Sequence, residues 1–161
     1  SSGVGAAVAE ECARRGASKI ILIARDAQRL AEVAELCTDA GATAVVLSAD
    51  CSDAAAVQEM ATAVKSTHGC PAVLVHAAGA GRWRRLTEMS AEQALRCSDA
   101  PYCSALLVTR AFLVEMLELP RAHICLPQSP AAFCAVAGAT AYVANRWALR
   151  GLYEALWSDL R

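Results

Sequence analysis

The sequence predicts an α/β domain in which helices cover both faces of a parallel sheet, giving three layers. Two observations lead there. Short β-branched runs alternate with longer Ala-rich stretches of helical period, in the order αβαβαβααβα. The strand candidates are compact apolar runs, as strands buried on both faces require. The chain has 161 residues, 56% of them hydrophobic, which suits one domain with a sizeable core. Residues 1–161 therefore read as a single unit, with no linker, repeat or low-complexity tract.

Taken in order, residues 4–15 read as a helix with small residues at its start, closed by Arg14, Arg15 and Gly16. Residues 19–24 (KIILIA) form the first strand. A helix over 26–40 carries Leu30, Val33, Ala34 and Cys37 on one face and ends at Gly41. Residues 43–49 make the next strand, and Ser52 or Asp53 caps a helix running to about residue 67. The strand over 72–76 ends in Ala77, Ala78 and Gly79. Thr87 or Ser90 opens a further helical region, followed by a long helix over 102–119 that Pro120 stops. A short strand over 123–126 runs into Pro127, Gln128 and Ser129, and a long helix covers 139–160. The chain opens on Ser1-Ser2-Gly3-Val4-Gly5, a glycine turn that enters a helix with no strand before it, and stops in or just after a helix. It reads as an excerpt of a longer domain, without the first strand and the C-terminal elements.

Composition excludes several classes. A formal net charge of −1 removes the electrostatic case for nucleic acid or an anionic membrane. The cluster Arg82-Trp83-Arg84-Arg85 reads as solvated arginines, or as residues near a site mouth. No apolar run approaches the ~18 residues that span a bilayer, and the first residues lack the layout of a signal peptide. None of the eight cysteines forms a C-x-x-C pair, and they are scattered through helix and strand segments. They read as small core residues of a cytoplasmic or otherwise reducing compartment. No metal is expected, because neither they nor His68, His76 and His123 have ligand spacing.

Gly3 and Gly5 at a helix start allow close approach of a phosphate to free helical N–H groups and the positive end of the dipole. A lone G-x-G also occurs in ordinary turns, and its place before the first helix of an alternating chain favours phosphate. Ser1-Ser2-Gly3-Val4-Gly5 resembles the tail of the T-G-x-S-S-G-x-G turn of short-chain dehydrogenases/reductases. Four further features follow in that family's order. Ala49-Asp50 follows a strand where the family's Asp contacts the adenine, with Cys51 beside it. His76-Ala77-Ala78-Gly79 stands for N-N-A-G, and Leu107–Phe112 is similar to a central helix. Ser129 precedes Tyr142 by thirteen residues, the family's Ser–Tyr spacing.

The resemblance covers essentially the whole chain and implies a Rossmann-like, doubly wound fold that binds NAD or NADP through residues 1–5, 25, 50–51, 76–79, 142 and 146. At the end of the first strand stands Ala24-Arg25-Asp26. An acidic group there would serve the ribose of NAD, whereas Arg25 would pair with the 2′-phosphate of NADP. The reading favours NADP(H), with Arg25 as a solvated helix-opening residue and Asp26 serving NAD as the alternative. Tyr142 and Arg146, four apart, share a helix face. The resemblance implies that Tyr142 passes a proton to the substrate oxygen and that Ser129 hydrogen-bonds that oxygen.

Two catalytic positions depart from the family. Arg146 replaces the lysine of Y-x-x-x-K, keeping the charge but not readily losing a proton. Pro101 stands where the family has a catalytic Asn, and offers no side-chain hydrogen bond. His76 for Asn is a milder change. Plainer readings stand beside these roles: Tyr142 as an amphipathic packing residue, Arg146 as exposed, Ser129 as a turn former. Trp83, Pro130 and Phe133 suggest an apolar substrate pocket. Trp147, Leu149, Leu152, Leu156 and Trp157 stripe the last helix, either as a core or, as the resemblance implies for this helix and 102–119, as a homodimer or homotetramer interface. The expected activity interconverts a carbonyl and an alcohol; the alternative is a dinucleotide-binding protein with little or no turnover.

Overall fold

In a computed structural model that describes residues 1–79 and 83–160, the predicted elements appear in the predicted order. They are α1 (Gly3–Arg14), β1 (Lys19–Ala24), α2 (Ala27–Asp39), β2 (Thr43–Ser48), α3 (Ala54–His68), β3 (Val73–Val75), α4 (Ala91–Arg96), α5 (Ser104–Leu117), β4 (His123–Cys125) and α6 (Thr140–Asp159). Asp26 caps α2 by accepting Arg29 N–H at 3.1 Å, and Asp53 caps α3 by accepting Ala56 N–H at 2.9 Å. Ser90 and Gln93 form a reciprocal box at α4. Such caps contribute about 1 kcal/mol each, and they settle both sequence alternatives in favour of Asp53 and Ser90.

The side chains of β1 alternate between two cores, which explains its unbroken apolar run. Ile20, Leu22 and Ala24 pack with Ala9, Ala13, Leu30, Val33 and Cys37 from α1 and α2. Ile21 and Ile23 pack with Val57, Val64, Leu74, Val108 and Phe112 from α3, β3 and α5. Phe112 and Leu30 are each 1% exposed, a burial worth about 2–3 kcal/mol per side chain. Helices thus cover both faces, as a doubly wound α/β fold requires.

β1 pairs in parallel with β2, Lys19 opposite Thr43 through Ala24 opposite Ser48. β3 pairs in parallel with β4, Val73 opposite His123. Among the described residues no ladder joins β1 to β3, so each keeps one unpaired edge. This differs from one continuous sheet and accords with the fold class expected without its first strand. On β3, Leu74 is buried while Val73 and Val75 are 53% and 36% exposed.

The stretch between α4 and α5 departs from a smooth helix. A π-helical turn spans Asp99–Cys103, and Ala100 is extended within it (φ −136°, ψ 130°). The buried Pro101 removes a backbone donor there. By length and composition Ala91–Leu117 qualifies as a candidate membrane span, which corrects the sequence expectation that no stretch approaches that length. The break at Ala100 leaves α5 as its longest continuous helix, of 14 residues, with Val108, Phe112 and Met116 in the core.

Candidate active site

The start of α1, the ends of β1 to β4 and the first turns of α6 supply the candidate residues. Gly3 adopts φ +53°, which favours glycine, and a side chain there would meet open space. Ser2, at the N-cap of α1, makes no side-chain hydrogen bond to it, and the first turn holds no acidic residue. Its leading N–H groups remain available to an anion. A Cβ at Gly5 would stand 3.0 Å from the Ala77 Cβ, so this turn lies directly against the segment after β3.

Arg25 and Asp50 close the ends of β1 and β2 and meet at 3.9 Å, Arg25 largely solvated and Asp50 about half so. The Asp50 carboxylate accepts the Ser52 hydroxyl at 2.6 Å and the Ser52 N–H at 2.9 Å. Those bonds, more than Arg25, hold its pKa below the usual range. Burial raises that of the Cys51 thiol, which keeps it protonated. Asp26 is engaged as the α2 cap and lies 3.4 Å from the Arg29 Nε.

The His76 ring Nε2 is 2.9 Å from the Thr109 hydroxyl, and its backbone N–H reaches the Cys125 carbonyl at 2.9 Å. Burial pushes its pKa down to about 4, so the ring is neutral at pH 7. Thr109, which the sequence reading did not single out, is 2% exposed. Its signal lies in helical spacing: it shares the buried face of α5 with Ala105, Val108 and Phe112.

Arg146 draws the other parts together. Its Nη1 donates to the Pro127 carbonyl at 3.5 Å, and its Nη2 lies 3.5 Å from where a Gly79 Cβ would stand. The guanidinium carbon sits 5.1 Å from the Tyr142 ring centre, an arrangement that favours a cation over a π face. The Trp83 ring is 6.4 Å from that of Tyr142. Ser129 accepts the Ala131 N–H at 3.2 Å, so its own hydroxyl hydrogen can still be donated. The short turn it opens, Pro130–Ala132, packs on α6. The Pro101 carbonyl accepts the Ser104 hydroxyl at 3.2 Å, and the turn that carries Pro101 also packs on α6. Phe133 is exposed beneath the Arg150 guanidinium, 4.7 Å away. Arg82 lies outside the described residues.

A sequence model described as short chain dehydrogenase matches residues 1–161. The chain belongs to that family. Among curated members, the 3-dehydrosphinganine reductase of Danio rerio is 29% identical over 166 residues, covering 100% of this chain and 50% of its own length. This short-chain dehydrogenase therefore spans about half of that relative. A metagenomic short-chain oxidoreductase solved in complex with NADP superposes with a TM-score of 0.93 at 32% identity, over 99% of this chain and 71% of the other. An NADPH-bound short-chain oxidoreductase from Pseudomonas aeruginosa, described as containing an atypical catalytic center, gives 0.88 at 28% identity, over 96% and 61%.

Proposed function

We propose that the chain is the nucleotide-binding and reacting part of an NADP(H)-dependent oxidoreductase that interconverts a carbonyl and an alcohol on a small apolar substrate. The observation that carries this is Arg146, whose guanidinium covers the Tyr142 ring while reaching the ends of β3 and β4. The uncapped α1 and the open Gly3 turn fit a phosphate-bearing nucleotide. Ser1, Ser2, Gly3, Val4, Gly5, Asp50, Cys51 and His76 to Gly79 would hold it, with Arg25 toward a 2′-phosphate. Asp26 is occupied as a helix cap, which supports NADP over NAD.

When bound, the nucleotide supplies the hydride for the carbonyl carbon. Tyr142 then gives its hydroxyl proton to the substrate oxygen. Ser129 donates a hydrogen bond to the same oxygen as charge develops on it. Arg146 contributes fixed positive charge beside Tyr142. Trp83 shields one flank of Tyr142 and, with Phe133, suits an apolar substrate. Eight free cysteines fit a reducing compartment such as the cytoplasm.

The alternative, nucleotide binding with little turnover, is favoured by Pro101, whose buried segment satisfies its carbonyl internally. The two readings separate in the full-length protein. NADPH and NADH are titrated by fluorescence, and NADPH consumption is followed with apolar ketones and aldehydes. The expected result is tighter binding of NADPH, with turnover that falls by about 100-fold or more in Tyr142→Phe while binding is kept. Unchanged turnover in that variant removes Tyr142 from the mechanism. Binding without turnover across the panel selects the alternative, and no nucleotide binding overturns both.

A further inference from the structure

Ser129 and Tyr142 stand on different elements, a turn after β4 and the first turns of α6. Their separation depends on how the Pro130–Ala132 turn seats on that helix. The turn buries two alanines, Ala131 and Ala132, which are 3% and 0% exposed. Side chains that small make few contacts and interlock weakly. The Ala132 carbonyl is buried with its residue, and a buried carbonyl requires a donor. Among the described residues that donor is Arg150 of α6, whose Nη1 lies 3.4 Å away. The rest of the guanidinium is engaged as well. Its Nε donates to Glu154 at 2.7 Å, and its central carbon lies 4.7 Å from the Phe133 ring centre. A planar fork held on three sides keeps its direction better than a flexible ammonium would. Within the same turn, the Ala131 N–H is bonded to the Ser129 hydroxyl oxygen at 3.2 Å. The Arg150 contact thus acts one residue away from the group that aims Ser129.

We propose that Arg150 is a positioning residue: its bond to the Ala132 carbonyl seats the turn on α6 and so fixes the Ser129 hydroxyl relative to Tyr142. The inference rests on Ser129 and Tyr142 meeting one substrate oxygen. Misplacing a reacting group by about 1 Å costs on the order of tenfold to 100-fold in rate, so a single bond that sets this separation has a measurable effect on turnover.

The test uses the full-length protein with Arg150→Met, which keeps an unbranched stem and loses the donors, and Arg150→Lys, which keeps the charge. The methionine variant is expected to lose about tenfold or more in kcat, with KM for NADPH unchanged. The lysine variant is expected to recover part of the loss. In a Ser129→Ala background, Arg150→Met is expected to change kcat by less than about twofold, because the effect passes through Ser129. A loss of equal size in that background overturns the proposal, since a merely structural role lowers kcat in both. Unchanged kcat in the methionine variant of the active wild type overturns it too. Crystal structures of wild type and Arg150→Met are expected to differ by about 1 Å in the separation of Ser129 Oγ from Tyr142 Oη; an unshifted pair overturns it. If wild type shows no turnover, the oxidoreductase reading itself fails, an outcome distinct from an active wild type whose methionine variant is equally active.

Discussion

Arg25 and Asp26 are neighbours in the chain with different tasks. The Asp26 carboxylate is bonded to the first turn of α2, while the Arg25 side chain extends into solvent near Asp50. An arginine so placed, with a solvated contact to Asp50 at 3.9 Å, has donors left for charge-assisted bonds to a 2′-phosphate. Arg25→Ala in the full-length protein is therefore expected to weaken NADPH about tenfold and leave NADH within about twofold, corresponding to about 1.4 kcal/mol for the phosphate contact. Equal weakening of both nucleotides by fluorescence titration would remove Arg25 from the specificity argument. The thirteen-residue step from Ser129 to Tyr142 and the four-residue step to Arg146 were legible in the sequence only through the family resemblance. The partnership of Thr109 with His76 was not: it depends on side chains that meet only after strands and helices have packed.

At the scale of elements, the His76–Thr109 contact ties the end of β3 to the middle of α5. The folded pKa of His76 is depressed to about 4 from 6.5. Above pH 6.5 the ring is neutral in both states and costs nothing. As pH falls below 6.5 the unfolded chain takes up the proton and the folded chain resists it, so stability declines until about pH 4. The total loss is on the order of 3 kcal/mol, of which about 2 appears between pH 7 and pH 5. Urea unfolding at those two pH values measures it, and His76→Asn is expected to flatten the difference. An equal difference in the variant would assign the acid sensitivity elsewhere. Element identity was well marked in the sequence by Asp53, Ser90, Gly41 and Pro120. The extended residue Ala100 was not, since the proline beside it permits either a helix start or a break.

Across the molecule, α5 and α6 leave large apolar side chains in solvent. Val114 and Leu117 are 62% and 61% exposed, and Trp147 and Trp157 are 50% and 57% exposed. Only Leu149 of the α6 stripe is fully buried among the described residues. Sedimentation of the full-length protein at micromolar concentration is expected to give a homodimer or homotetramer, and Trp147→Glu with Leu117→Glu to give monomers. A monomeric wild type would leave these faces without that explanation.

The unpaired edges of β1 and β3 carry main-chain groups open to a further strand. Main-chain bonds bind β1 to β2 and β3 to β4, but nothing of that kind crosses between the pairs among the described residues. The two halves are held by interdigitated side chains such as Ile21 and Ile23 against Leu74, Val108 and Phe112. Such contacts are strong in aggregate yet short in range. Any further strand that docks on either edge adds the directional main-chain bonds that this packing lacks.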